Sequence, residues 1–391
     1  MVRRRAGMPD AGCELRGRAH SRHSHNKAVL DILSRCVRSA MSVMMNCPIG
    51  RSSMFPVIDS NPRPDALIEQ VLPAYGLGVI SRCRLHARGL NDTYKVETAG
   101  GESFFLRVYR HGWRSRAEIE AELAILRHLD RHGARVSVSL ARTDGATITV
   151  LDCAEGQRFA AVFAAAPGKE IAYKNYSEEA ARAYAAAAAA THDAGDTFAG
   201  ARPRPALDLA ELLERPLRLV LGAIAHRADD VAYLVALGAS LRGRIEGSGG
   251  LAHGFCHGDL HGQNACARDG VVTLYDFDCC GWGFRAYDVA VFPWAFALTD
   301  AAPERIETMG RAFLGEYLRR RHLGEADIAA IPTFVAIRQI WLIGLHISLG
   351  DRFGWGWMND GYFDRQLEVL RDWEKNFLDR PGREWLLAPA A

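Results

Sequence analysis

A chain of 391 residues, 49% of them hydrophobic, can bury a large core, and its length favours two domains or lobes. The formal net charge of +2 leaves no nucleic-acid footprint, and nine cysteines with no Cys-x-x-Cys pair argue against a zinc site or a disulfide framework. Reduced thiols in a cytoplasmic protein are the simplest reading.

Charge is uneven along the chain. The first fifty residues hold nine Lys/Arg against Asp10, Glu14 and Asp31, a local +6 that leaves −4 for the remainder. Residues 1–53 read as a basic, disordered extension with no function assigned, and His23 and His25 within it as solvated. Order begins at Pro64. Residues 65–75 carry Leu67, Ile68, Val71 and Leu72 at helical spacing, and strands are expected over 79–85, 94–98 and 104–109, with turns at 89–93 and 100–101. A helix over 115–132 contains Glu118, Glu120 and Glu122, and strands over 147–151 and 158–165 run into Pro167-Gly168, a connector that puts the lobe boundary near Ala166. Val162 and Phe163 there suit either a ligand ring or core packing. The chain then turns helical. Ser177 caps a helix that ends near His192, and further helices are expected over 208–227 and 230–246 before a Gly-rich link at 247–250.

The most informative stretch is His257-Gly258-Asp259-Leu260-His261-Gly262-Gln263-Asn264, followed by Tyr275-Asp276-Phe277-Asp278. Two β-prone runs around Asp269-Gly270 form a hairpin, which folds Asn264 and Asp276 back towards one another. Phosphoryl transfer needs a carboxylate to orient and deprotonate the attacking hydroxyl, and hard oxygen ligands to hold Mg²⁺ on the ATP phosphates. Asp259 is placed for the first task, and Asn264 with Asp276 for the second. Beyond it lie helices over 302–321, 331–349 and 364–375. The apolar 331–349 run is interrupted by Arg338, Gln339 and His346 and reads as a buried bundle helix, with no membrane implied. Residues 381–391 read as a frayed tail.

His257-Gly258-Asp259-Leu260, Asn264, Asp276-Phe277-Asp278 and Tyr287-Asp288-Val289-Ala290 resemble the motifs of the aminoglycoside phosphotransferase and choline kinase family. That resemblance spans residues 54–375. It implies an α+β, bilobal protein-kinase-like fold, with a small antiparallel-sheet N-lobe (54–166) that binds nucleotide and a large, mainly helical C-lobe (167–380) for catalysis and acceptor binding. It makes Asp259 the catalytic base, Asn264 and Asp276 the metal ligands, Asp278 either a second metal-side carboxylate or a loop-bonding residue, and Asp288 a structural tie. Asn91, Asp92 and Thr93 take the place of the nucleotide-covering loop, and Arg107 that of the family's phosphate-binding Lys. Glu122 is its partner glutamate, with Glu118 as second choice. Asp351, Trp355, Trp357 and Asp360 fall where the family shapes its acceptor pocket. ATP and Mg²⁺ are the implied cofactors and a hydroxyl compound the implied acceptor. The Asp-Phe-Asp pair resembles the stress-response Ser/Thr protein kinase branch, ahead of homoserine or amino-alcohol kinases and then aminoglycoside kinases. A catalytically inactive nucleotide-binding regulator is the reading from a different class.

Overall fold

The computed structural model describes residues 55–299, 301–380 and 382–387, and from Pro56 onward they form one unit. The basic extension expected over 1–53 lies outside the described residues. The first helix, α1 (Pro64–Gln70), starts on a proline, whose missing N–H is no loss at a first helical position, and buries Leu67 against the sheet that follows.

That sheet has five antiparallel strands, β1 (Ile80–Arg88), β2 (Asp92–Thr98), β3 (Ser103–Val108), β4 (Thr149–Cys153) and β5 (Gly156–Ala164), in the order β1-β2-β3-β5-β4. Alternation sorts the side chains. Tyr94, Val96, Leu106, Val108, Ala160 and Val162 fill a small core on one face, and Thr93, Lys95, Phe105, Arg107 and Phe163 line a cleft on the other. Between β3 and β4 runs α2 (Arg116–Arg131). Ser115 and Glu118 form its capping box, so Glu118 is spent on the helix end while Glu122, one turn on, is buried.

The expected nucleotide loop is corrected here. The 89–91 turn is tight, Gly89 N donating to Asn91 O at 3.0 Å, and the Asn91 side chain accepts from Arg110 N at 3.1 Å. Asp92 points away from the cleft and is fully buried; its Oδ2 accepts from Arg158 at 2.7 Å and its Oδ1 from Arg352. Asp59 and Arg88 join the same cluster. Only Thr93 of the three faces the cleft. A carboxylate beside three guanidiniums is a packing device and not an open phosphate cradle.

Past β5 the chain passes Gly168, whose φ of +100° and closeness to the Ala267 carbonyl (2.1 Å from an added Cβ) admit only glycine, and forms β6 (Lys169–Glu170). The helices α3 (Glu178–Asp196), α4 (Arg215–Ala223) and α5 (Ala228–Gly247) follow. Instead of one helix over 208–227, a π-helical turn at Ala210–Glu214 precedes α4, because Pro216 has no N–H to continue the α-helical ladder. The strands β7 (His253–Cys256), β8 (Ala265–Arg268), β9 (Val271–Leu274) and β10 (Gly281–Phe284) then frame the 257–278 segment; β8 pairs with both β6 and β9, and β10 pairs with β7.

The large core lies between α6 (Arg285–Ala297), α7 (Pro303–Arg320) and α8 (Glu325–Ser348). α8 is long and apolar enough to cross a membrane by composition, but 83% of its most apolar window is buried inside the protein. After α9 (Gly350–Phe353) and α10 (Asp360–Trp373), residues 382–386 do not fray: α11 (Gly382–Leu386) buries Trp385 against Trp373 and Phe377.

Breaking a buried ion pair from one side leaves uncompensated charge. Asp92→Ala should therefore lower the unfolding free energy by about 3–5 kcal/mol in urea titration, whereas a loss of about 1 kcal/mol or less would class the cluster with ordinary surface pairs.

Candidate active site

β7 delivers the chain into His257-Gly258-Asp259, where the backbone N–H groups of His257 and Gly258 are buried and need acceptors. Asp288, in the first turn of α6, supplies them. Its Oδ2 accepts from His257 N at 2.6 Å and its Oδ1 from Gly258 N at 2.8 Å. The same Oδ2 lies 2.8 Å from His192 Nε2, while Tyr317 Oη sits 2.7 Å from His192 Nδ1. Burial, with Arg285 close by, pushes His192 down to about 4 despite Asp288, so the ring is neutral, carries its proton on Nε2 and accepts from Tyr317. His192 thus lies inside α3 and not at its end. Gly258 has φ +81°, and an added Cβ would meet the Cys279 carbonyl oxygen at 2.1 Å.

Asp259 is held from both sides. Asn264 Nδ2 donates to its backbone oxygen at 2.9 Å and to its Oδ2 at 3.1 Å. Arg338 donates Nη2 to Oδ1, and its Nη1 reaches Gly258 O at 3.3 Å and Tyr287 Oη at 3.1 Å. Trp294 and Trp341 flank that guanidinium at 4.6 and 4.1 Å. Burial alone would raise the Asp259 pKa. Arg338 and His261 outweigh it and hold the carboxyl well below its usual range, so it is ionised and poised to accept a hydroxyl hydrogen bond.

The β8–β9 hairpin turns on Asp269 and Gly270, both with positive φ, and closes with Tyr275 N donating to Asn264 O at 2.9 Å. That bond sets Asn264 and Asp276 at one end of the hairpin. Asp276 is left-handed (φ 61°, ψ 62°), and its side chain is 48% exposed to the cleft. Asp276 Oδ1 accepts from Arg107 Nη2 at 2.9 Å, and Arg107 Nη1 donates to Glu122 Oε1 at 2.7 Å. Glu122 also accepts from Tyr109 Oη at 3.3 Å and pairs with Arg204 at 3.6 Å, which keeps a carboxylate that burial would neutralise in an ion cluster.

The cleft between these groups measures ≈ 640 Å³ and is lined by Lys95, Phe105, Phe163, Ala166, Tyr275 and Asp276 among others. With its amide nitrogen engaged on Asp259, Asn264 keeps Oδ1 for a metal, and Asp276 keeps Oδ2. One amide and one carboxylate oxygen fit Mg²⁺, which takes its other ligands from phosphates and water.

Other expected residues lie elsewhere. Asp278 is a correction: it is buried, accepts from Trp113 Nε1 at 2.6 Å and faces Arg114 at 3.8 Å, so it ties the segment before α2 to the catalytic segment instead of facing the metal. Asp351 accepts from Trp355 Nε1 at 2.9 Å, Trp355 packs on Gly350, and Trp357 packs on His346 and Tyr362. Asp360 pairs with His226 at 2.9 Å at the start of α10. None of these contacts Asp259 or lines the cleft, because they close loops and cap helices. Sequence reasoning missed the part played by Arg338 and that of Arg204. The signal for Arg338 was a lone arginine within an apolar helix, and such a charge needs a buried partner.

Residues 82–323 match the model of the phosphotransferase enzyme family. An uncharacterized protein of Deinococcus radiodurans is 43% identical, covering 82% of this chain and 93% of that protein. A homoserine kinase of Nitrobacter winogradskyi is 32% identical over 67% of this chain and 77% of its own length. Among solved structures, an amicoumacin kinase in complex with AMP-PNP and Ca²⁺ superposes with a TM-score of 0.64 at 19% identity, covering 79% of this chain and 93% of that one. Its likeness carries the fold.

Arg338 depresses the Asp259 pKa, so removing it should raise that pKa. Arg338→Gln should lower kcat by about 10- to 100-fold and move the acid limb of the kcat/KM profile to higher pH. An unchanged acid limb with full turnover would remove Arg338 from the base's environment.

Proposed function

The chain belongs to the phosphotransferase enzyme family and is an ATP-dependent kinase, and from that premise we propose that it phosphorylates the hydroxyl of a small acceptor of the homoserine or amino-alcohol kind. In this reading Asp259 orients the acceptor hydroxyl and takes its proton. Asn264 and Asp276 would hold Mg²⁺, which when bound neutralises charge on the β and γ phosphates. Glu122 keeps Arg107 extended over the cleft floor beside Asp276.

The observation that carries the acceptor class is the likeness to homoserine kinases, 32% and 30% identical over 67% of this chain. Behind Asp259, Trp294 and Trp341 close on Arg338, and Tyr287 bonds it. A protein Ser/Thr acceptor is the less favoured reading. The compartment we assign is the cytoplasm, where ATP and reduced thiols coexist.

A panel of homoserine, amino alcohols, aminoglycosides and a generic protein acceptor, assayed for ADP release, should give turnover with one of the first two classes. In the same assay Asp259→Asn should lose about 10² to 10⁴-fold in kcat while an ATP analogue still binds. Turnover within about tenfold of wild type would reject Asp259 as base. Phosphate transfer to the protein acceptor alone would reject the small-acceptor reading.

A further inference from the structure

We propose that Lys95, on the strand next to Arg107, is the cation that grips the ATP phosphates, with Arg84 beside it. The inference rests on the kinase reading of the cleft. Arg107 stands where a phosphate-binding cation is expected, yet both ends of its guanidinium are committed, Nη1 to Glu122 and Nη2 to Asp276. With Arg204 also on Glu122, two cations face two carboxylates, and the cluster carries no net positive charge. A triphosphate arriving there meets no net attraction unless other positive groups supply it.

Two further cations line the same cleft, Arg84 of β1 and Lys95 of β2, and neither bridges two carboxylates. Arg84 is exposed and has no ion pair among the described residues. Lys95 Nζ lies 2.7 Å from Glu97, two positions along the same strand face, and both side chains are about a quarter exposed (27% and 28%). A half-solvated pair of that kind exchanges readily for a stronger anion. The register places Arg84 opposite Lys95, Lys95 opposite Phe105 and Thr93 opposite Arg107. Lys95 and Arg107 are therefore diagonal neighbours on one face, with Cα atoms about 7–8 Å apart. A lysine stem spans that distance, and a compact ammonium on a flexible chain suits a phosphate as a point charge. Labour is then divided: Arg107 fixes Asp276 and Glu122, Lys95 moves to the nucleotide, and Glu97 is its partner at rest.

Calorimetric titration of the full-length enzyme with Mg²⁺ and AMP-PNP, ADP or adenosine tests this. Lys95→Met should weaken AMP-PNP and ADP about tenfold while leaving adenosine within about twofold, and Lys95→Arg should recover most of the loss. Glu97→Gln should act in the opposite direction and tighten AMP-PNP about two- to fivefold, a gain that a misfolded variant could not show. If Lys95→Met weakens adenosine as much as AMP-PNP, the side chain covers the base and the proposal fails. If AMP-PNP binding is unchanged, it also fails. Absence of AMP-PNP binding to the wild type would instead overturn the kinase reading itself.

Discussion

The buried carboxylate of Asp288 is the constraint on which the site depends. It accepts from the backbone N–H groups of His257 and Gly258 and from His192, so one side chain joins α6, α3 and the catalytic segment. A buried charge of this kind is tolerable only when fully hydrogen-bonded, and Tyr317, by donating to His192 Nδ1, completes the set. With the backbone pinned there, Gly258 can take its left-handed turn and Asp259 meets Arg338 and Asn264. Every later element of the site, from Arg338 to the hairpin, is built against that fixed loop.

What was legible in the sequence was local. The Asp269-Gly270 hairpin, the Asp259-to-Asn264 spacing and the helix cap at Ser177 each need only a few neighbouring residues, and each forms as its spacing implies. Arg107 with Glu122 followed from the family resemblance, and the two pair at 2.7 Å. What escaped depends on residues far apart in the chain. Asp92 looked like a loop residue, but Arg158 and Arg352, from β5 and α9, claim its carboxylate. Asp278 stood open between a metal-side and a loop-bonding role, and its contacts with Trp113 and Arg114 are of the second kind. The aromatic and acidic residues of 351–360 read as a binding surface, yet their partners are one another, Gly350, His346, Tyr362 and His226. Side-chain type alone does not separate a packing cluster from a pocket.

Arginine in place of lysine on β3 has a structural consequence as well as a chemical one. A planar guanidinium can bond two carboxylates at once, and Arg107 does so, bridging Glu122 of α2 to Asp276 of the catalytic segment. An ammonium would serve one of them well. The bridge holds the strand, the helix and the hairpin end in fixed relation, and Phe163 packed under the guanidinium at 4.8 Å restrains it further. The cost is a cation less available to phosphate, which the roof of the cleft can offset.

The central claim is that Asn264 and Asp276 jointly hold a divalent cation against the nucleotide. Electron paramagnetic resonance of Mn²⁺ added with AMP-PNP reads this directly. The account predicts an enzyme-bound Mn²⁺ signal in the wild type that is lost in Asp276→Asn and weakened in Asn264→Ala, with both variants still folded. An undiminished bound signal in both variants would place the metal elsewhere and contradict the account.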